Sequence, residues 1–226
     1  MSSIASIISA YFCESWLQGR IENLLEQTLV PEIIAVSQSG SEEANIISKY
    51  PQVISILTPG VPTVYACWNM AIKATDCELI NVANSDDRLD VNAIKEMVDA
   101  LQENPSIGLA YSDCHVCSEL NGEPVASFEW GEGDLLDGCY IGPSPVYRKE
   151  LHELHGYFPE EYVVAGDYWM WLNLQHNGVK FLHIKKKLCT FWDRSGNPSV
   201  VNNLEYAQAN RTVWESARAR EYWRKK

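Results

Sequence analysis

Two adjacent carboxylates, Asp86 and Asp87, follow the run Glu78–Ala83, which reads as a buried strand, in the segment NVANSDDRLD. Such a pair at a strand end has two uses. It can start the next helix, where acidic side chains satisfy free N–H groups and favour the macrodipole, or it can hold a hard divalent cation through oxygen. Asp90 suffices as the cap, so spacing alone leaves both uses open for Asp86 and Asp87. A third carboxylate, Asp167, opens the aromatic-rich stretch Ala165-Gly166-Asp167-Tyr168-Trp169-Met170-Trp171. A helix cap accounts for it as well as a proton-accepting role does, and core packing accounts for the aromatics.

The elements that must position these groups follow from hydrophobic periodicity. Ser6–Ser9, Glu32–Val36, Val53–Leu57, Glu78–Ala83 and Ile107–Ser112 read as strands, mostly continuous and therefore buried on both faces. Leu17, Ile21, Leu24 and Leu25 share one face of a helix, as do Ile94, Met97, Val98 and Leu101 before Asn104-Pro105 ends the segment. Strand–helix alternation implies a Rossmann-like, mainly parallel sheet flanked by helices. The second half is turn-rich, with a hairpin expected at Asn121-Gly122, a short helix over Arg148 to Gly156, a helix from Gly166 to Asn177 closed by Gly178, and a strand over Val179–Ile184. One domain is expected, with a first half over about 1–112, a second over 113–200 and a basic C-terminal helix over 201–226.

The formal net charge of −12 argues against nucleic acid, because phosphate binding needs a basic face. Yet Arg211, Arg218, Arg220, Arg224, Lys225 and Lys226 crowd the C-terminus against only Glu215 and Glu221. Such a helix suits an anionic membrane surface, an acidic partner, another copy of the chain, or the chain's own acidic body. The seven cysteines are odd in number and scattered, which fits a reducing compartment; the lone CxxC, Cys114 to Cys117, has no second pair to complete a zinc site. No stretch approaches the roughly 20 apolar residues of a membrane span, and the apolar start MSSIASIISAYF has no basic lead. The expectation is a cytoplasmic protein, at most peripheral to a membrane.

Open α/β sheets bind ligands beyond the carboxyl ends of their strands. The first such end reads SAYFCES, with neither GxGxxG nor a P-loop. The order of motifs resembles glycosyltransferase family 2, enzymes of GT-A fold that move a sugar from a nucleotide-sugar to an acceptor. The resemblance lies in SIISAYFCESWLQGRIENLLEQTL, with Tyr11, Leu17, Ile21, Leu24 and Gln27 in phase, then AVSQSGSEE, YACWNMAIKA around Asn69, the DXD-like ANSDD, and SPVYRKELHELHGYFPEEYVVAGDYWMWL. It spans roughly residues 4 to 195 and rests on order and spacing rather than on one specific motif.

The resemblance implies an α/β GT-A fold and a hexosyl- or N-acetylhexosaminyl-transferase of surface-polysaccharide or related glycan synthesis. The implied donor is a nucleoside-diphosphate sugar, a UDP-sugar by default, and the acceptor a glycan, lipid-linked or protein hydroxyl. A divalent cation, Mn²⁺ or Mg²⁺, would neutralise the departing diphosphate, with Asp87 its direct ligand and Asp86 on the ribose or the metal. Asp167 matches the family's general base for an inverting transfer. Ser9, Ala10, Tyr11, Ser37, Gln38 and Asn69 would line the nucleotide, while Arg148, Trp169 and Arg194 are candidates for diphosphate or acceptor contact. Three departures stand out: Gly166 replaces an acidic residue before the base, Ser37 and Gln38 replace an aspartate after the second strand, and Asn84 replaces the first aspartate of the DXD-type motif.

Two other readings compete. A nucleotidyltransferase would need a Gly-rich, basic loop after the first strand, which SAYFCES lacks. A non-catalytic sugar-nucleotide or glycan-binding module of degenerate GT-A fold is motivated by the lost acidic residues. Calorimetry with nucleoside diphosphates and Mn²⁺ separates that module from an enzyme.

Overall fold

The strand Ile4–Ala10 (β1) sends alternate side chains to two opposite cores. Ala5 and Ile7 enter one core, Ile4 and Ile8 the other, which is why the run is apolar throughout. In this computed structural model the described residues are 3–118, 122–129, 131–192 and 203–226. The expected hairpin residue Asn121 and the candidate Arg194 lie outside them.

Parallel pairing joins β1 to Glu32–Gln38 (β2) and Leu79–Val82 (β4), and β2 to Val53–Thr58 (β3). Helix Glu14–Leu25 (α1) and helix Ala93–Glu103 (α4) cover one face with the two periodic stripes read from the sequence. The short helix Glu42–Ile47 (α2) follows β2, and helix Val64–Ala74 (α3) packs on the opposite face with Gly166–His176 (α6).

The second half departs from simple alternation. Val146–Arg148 (β8) inserts antiparallel between β4 and the long strand Ile107–Cys117 (β6). Ala126–Phe128 (β7) pairs antiparallel with β6. Lys180–Trp192 (β9) lies parallel to β6 and extends well beyond the expected strand. Arg88–Leu89 (β5) closes the edge on β9. The result is one nine-stranded, mostly parallel sheet, ordered β3-β2-β1-β4-β8-β6-β9-β5 with β7 off β6. The expected helix near 148–156 is Glu150–His155 (α5).

The C-terminal helix Asn203–Arg224 (α7) docks on α6. Buried Ala219 and the rings of Trp223 and Trp169, 5.3 Å apart, form the apolar contact. Among the described residues, no helix is long and apolar enough to cross a membrane. All seven cysteines are free thiols.

Gly178 ends α6 as expected: at φ +76° it is in the left-handed region, and its N–H donates to the Gln175 carbonyl. The expected cap of α4 is corrected. The N-cap is Asn92, whose side chain makes no cap bond. Gln27 serves instead, its Oε1 accepting the Ile94 N–H at 3.2 Å while its Nε2 donates to the Asp90 carbonyl. Asp90 only turns the chain beforehand, accepting the Asn92 N–H.

Candidate functional site

The carboxyl ends of β1 and β4 open onto a pocket of about 440 Å³ that brings together Ser9, Tyr11, Asn84, Ser85 and Asp86. A strand order in which β1 lies between β2 and β4 puts these two loops side by side. Tyr11 is fixed by a 2.6 Å hydrogen bond between its hydroxyl and that of Thr58 on β3, and burial pushes its phenol up to about 12.

The two aspartates at the strand end are divided by orientation. Asp86 lines the pocket. Asp87 is 2% exposed and turned beneath it, its Oδ2 accepting Asn84 Nδ2 at 2.9 Å. Burial and the Asp86 charge push the Asp87 carboxyl up to about 7, against the pull of Asn84, Arg20 and Arg88. Asp86 thus lines the pocket itself, while Asp87 bonds within its own loop through Asn84.

The rest of that loop is held from α1. Trp16 Nε1 donates to Ser85 Oγ at 3.1 Å, and Arg88 Nη1 donates to the Ser85 and Asp87 carbonyls. Fully buried Arg20 donates to Asn23 and to Ser144 Oγ. Burial lowers its guanidinium to about 10, which still leaves a cation near Asp87 at neutral pH.

Asp167 stands in the first turn of α6. Its Oδ1 accepts the Tyr168 N–H at 2.8 Å and the Tyr65 hydroxyl at 3.2 Å. Burial raises its carboxyl above the ordinary 3.8, with those two bonds opposing. The N-cap itself is Ala165, whose amide is bound elsewhere, and Asp167 satisfies a first-turn N–H of α6 through its bond from Tyr168. Buried Glu215 of α7 accepts the N–H groups of Val163, Val164 and Ala165 at 2.9 to 3.1 Å, while Arg211 pairs with it. The Gly166 departure also has a cause. A Cβ there would lie 2.7 Å from the Tyr65 ring, so the ring fills the space of a side chain at 166.

Other expected contacts lie elsewhere. Ala10 points into the core beneath the pocket, and Ser37 is fully buried at the end of β2 with half-buried Gln38 beyond it. Asn69 spends its amide on the Phe158 backbone and Glu160, pinning the loop before α6. Arg148 pairs in register with Leu79 at the amino end of β4, opposite the pocket, and donates to the Ile107 and Leu101 carbonyls. Trp169 packs on Tyr222 and Trp223 of α7. Sequence reasoning missed Phe12, Trp68 and Val163 on the pocket wall, and Tyr65 beside Asp167. Tyr65 and Trp68 precede Asn69 on one helix, the only local signal that they belong to the same constellation.

Among the described residues, no three His, Cys, Asp or Glu side chains group to hold a metal ion unaided. The donor set still suits one. Asp86 offers a single hard carboxylate in an open pocket, and magnesium-like ions commonly take one or two carboxylates and complete their shell with substrate phosphate and water.

A curled, mostly parallel sheet with a carboxylate-bearing pocket at its carboxyl edge defines a nucleotide-sugar transferase fold of GT-A type. The model of "Glycosyl transferase family 2" matches residues 6–124, and the chain belongs to that family of glycosyltransferases. It is 26% identical over 186 residues, 80% of this chain and 73% of the other, to the UDP-Glc:alpha-D-GlcNAc-diphosphoundecaprenol beta-1,3-glucosyltransferase WfaP of Escherichia coli. S. aureus TarS 1-349, solved with UDP, superposes with a TM-score of 0.71 at 19% identity, covering 84% of this chain and 60% of that one. The mannosyltransferase PcManGT of Pyrobaculum calidifontis, solved with GDP-Man and Mn²⁺, gives 0.64 at 13% identity over 84% of this chain and 56% of its own. The chain thus spans somewhat under two thirds of these structural relatives.

Proposed function

We propose that the protein transfers a sugar from a uridine diphosphate sugar to an acceptor hydroxyl in a single inverting displacement. The observation that carries this reading is Asp86 on the pocket at the β4 end, a pocket whose wall also includes Val163 of the loop leading into α6, where the Asp167 carboxyl is raised by burial. The acceptor oxygen attacks the anomeric carbon and passes its proton to Asp167. The bond from that carbon to the diphosphate oxygen breaks, and its electron pair leaves with the diphosphate. Asp86 would hold a divalent cation, which supplies charge neutralisation for the leaving diphosphate. A base so placed typically contributes about 10²–10⁴-fold in rate.

Uridine as the base is supported by UDP in TarS and by the UDP-Glc in WfaP's name. WfaP's diphosphoundecaprenol substrate favours a lipid-linked acceptor, and the basic end of α7 suits peripheral contact with an anionic membrane surface. Transfer is tested with Asp167→Asn: donor binding is retained and sugar transfer is lost. Full transfer by that variant would sink the assignment of the base.

A further inference from the structure

The C-terminal ends of α6 and α7 enclose a second pocket, of about 470 Å³, together with the segment 133–136. Buried Leu172 and half-buried Leu136 make it apolar on one side, the Trp223 ring lines another, and Asp134, Gln175 and His176 supply polar groups. None of these residues lines the donor pocket. The pocket is preformed. Gln175 clamps its loop, Oε1 accepting the Leu135 N–H at 2.8 Å and Nε2 donating to the Gly133 carbonyl at 2.9 Å. Asp134 Oδ1 accepts the Leu136 N–H at 2.9 Å, and Arg224 Nη2 donates to the Leu136 carbonyl at 3.2 Å.

One group in this pocket is left over. The indole Nε1 of Trp223 is buried and has no hydrogen-bond partner, although the ring is fixed 5.1 Å from His176 and 5.3 Å from Trp169. A buried donor without an acceptor is destabilising, and native structures keep few of them without a bound molecule or a functional reason. The remaining chemistry narrows what would supply the acceptor. Asp134 and Arg224 balance in charge, which disfavours a lone anion or cation. An indole face beside leucines takes an apolar surface, while an N–H donor, a carboxylate and an imidazole call for hydroxyls that both donate and accept. A pyranose ring presents both, with C–H groups on its face and hydroxyls on its edge.

We propose that this pocket binds a neutral sugar ring of a glycan, at a site separate from the transfer centre. Asp167 stands in the first turn of α6 and His176 ends it, about 14 Å further along the axis. The ring held here is therefore not the one being transferred. The assignment rests on the pocket's own groups and stands whether or not the donor is a uridine diphosphate sugar.

The test follows the Trp223 indole N–H by NMR in the isotope-labelled full chain, its resonance assigned with Trp223→Phe. Glucose, galactose, N-acetylglucosamine, cellobiose and chitobiose are titrated with and without saturating UDP. At least one of them is expected to shift that resonance downfield, saturably at millimolar concentration and equally in both conditions. Asp134→Asn and His176→Ala, at exposed positions, are expected to weaken that binding about tenfold without changing the melting temperature. A resonance that no sugar of the panel moves overturns the proposal. So does an equal response to sorbitol, inorganic phosphate or ammonium, or a response abolished by UDP. A protein that binds sugar here but no UDP overturns the transfer reading and leaves this site standing.

Discussion

The ring of Tyr65 lies where a side chain on Gly166 would project, and its hydroxyl reaches the carboxylate of the next residue, Asp167. One aromatic side chain from α3 thus occupies a vacant position on α6 and contacts the proposed base beside it.

That fit makes the pair interdependent. Gly166→Ala forces a methyl into the ring and is expected to cost about 1–3 kcal/mol, as overpacked cores do. Tyr65→Ala in the same chain should recover part of that loss, giving a non-additive double-mutant cycle in urea melts. Strict additivity would mean that the ring and the glycine are not coupled.

The same hydroxyl tunes the proton acceptor. Its hydrogen bond lowers the Asp167 carboxyl against the burial that raises it. Tyr65→Phe should therefore raise the carboxyl further and move the acid limb of the kcat/KM profile to higher pH. The limb of the unaltered protein should already lie above the ordinary aspartate value of 3.8. A limb that moves downward in the variant contradicts this account.

Asp86 and Asp87 should separate cleanly by what they affect. Asp86→Asn is expected to remove the metal-dependent part of UDP binding while leaving the melting temperature nearly unchanged. Asp87→Asn disturbs a buried carboxylate that accepts from Asn84 and faces Arg20. It should alter stability by about 1–3 kcal/mol and bind metal–UDP more nearly normally. The opposite division, read by calorimetry and thermal melts, would return the direct contact to Asp87.

Glu215 offers a test of how α7 serves the site. Its buried carboxylate collects three backbone N–H groups and the Arg211 guanidinium. Removing it with Glu215→Ala should cost about 3 kcal/mol and accelerate hydrogen exchange at the amides of 163 to 165. Unaltered exchange there would show that α7 does not hold the loop.

A buried imidazole sets a stability limit on the acid side. His152 places Nδ1 3.1 Å from the Gly156 carbonyl and Nε2 3.0 Å from the Tyr147 hydroxyl, an arrangement suited to the neutral ring. Burial lowers its pKa from 6.5 to about 4. Between those values the unfolded chain binds a proton that the folded chain refuses, so stability falls as pH drops through the window and is untouched above it. The loss approaches roughly 3 kcal/mol below the lower value. Urea titrations at pH 5 and 7.5 measure it, and His152→Gln should flatten the difference.

The first half of the fold was legible because its signals are local. β1, β2 and β3 are continuous apolar runs, and α1 and α4 carry clear stripes, so periodicity alone recovers them. Three-residue β8 has no periodicity to read and exists only because β4 and β6 flank it. The site divides in the same way. Asp86, Asp167, Ser9 and Tyr11 stand at element ends, where topology points. Arg148 and Asn69 are polar residues in plausible order whose partners in the structure are groups far along the chain. No spacing rule reveals that Arg148 is committed to carbonyls at residues 101 and 107.

The unbroken sheet has a kinetic corollary. Strands β4, β8 and β6 stitch the pocket-bearing half to the half that carries α6 through shared ladders, so hinge closure between halves would tear backbone pairing. Movement at the pocket is therefore left to the loops that bear Phe12, Val61 and Val163, the first and last of which are anchored on buried Glu43 and Glu215.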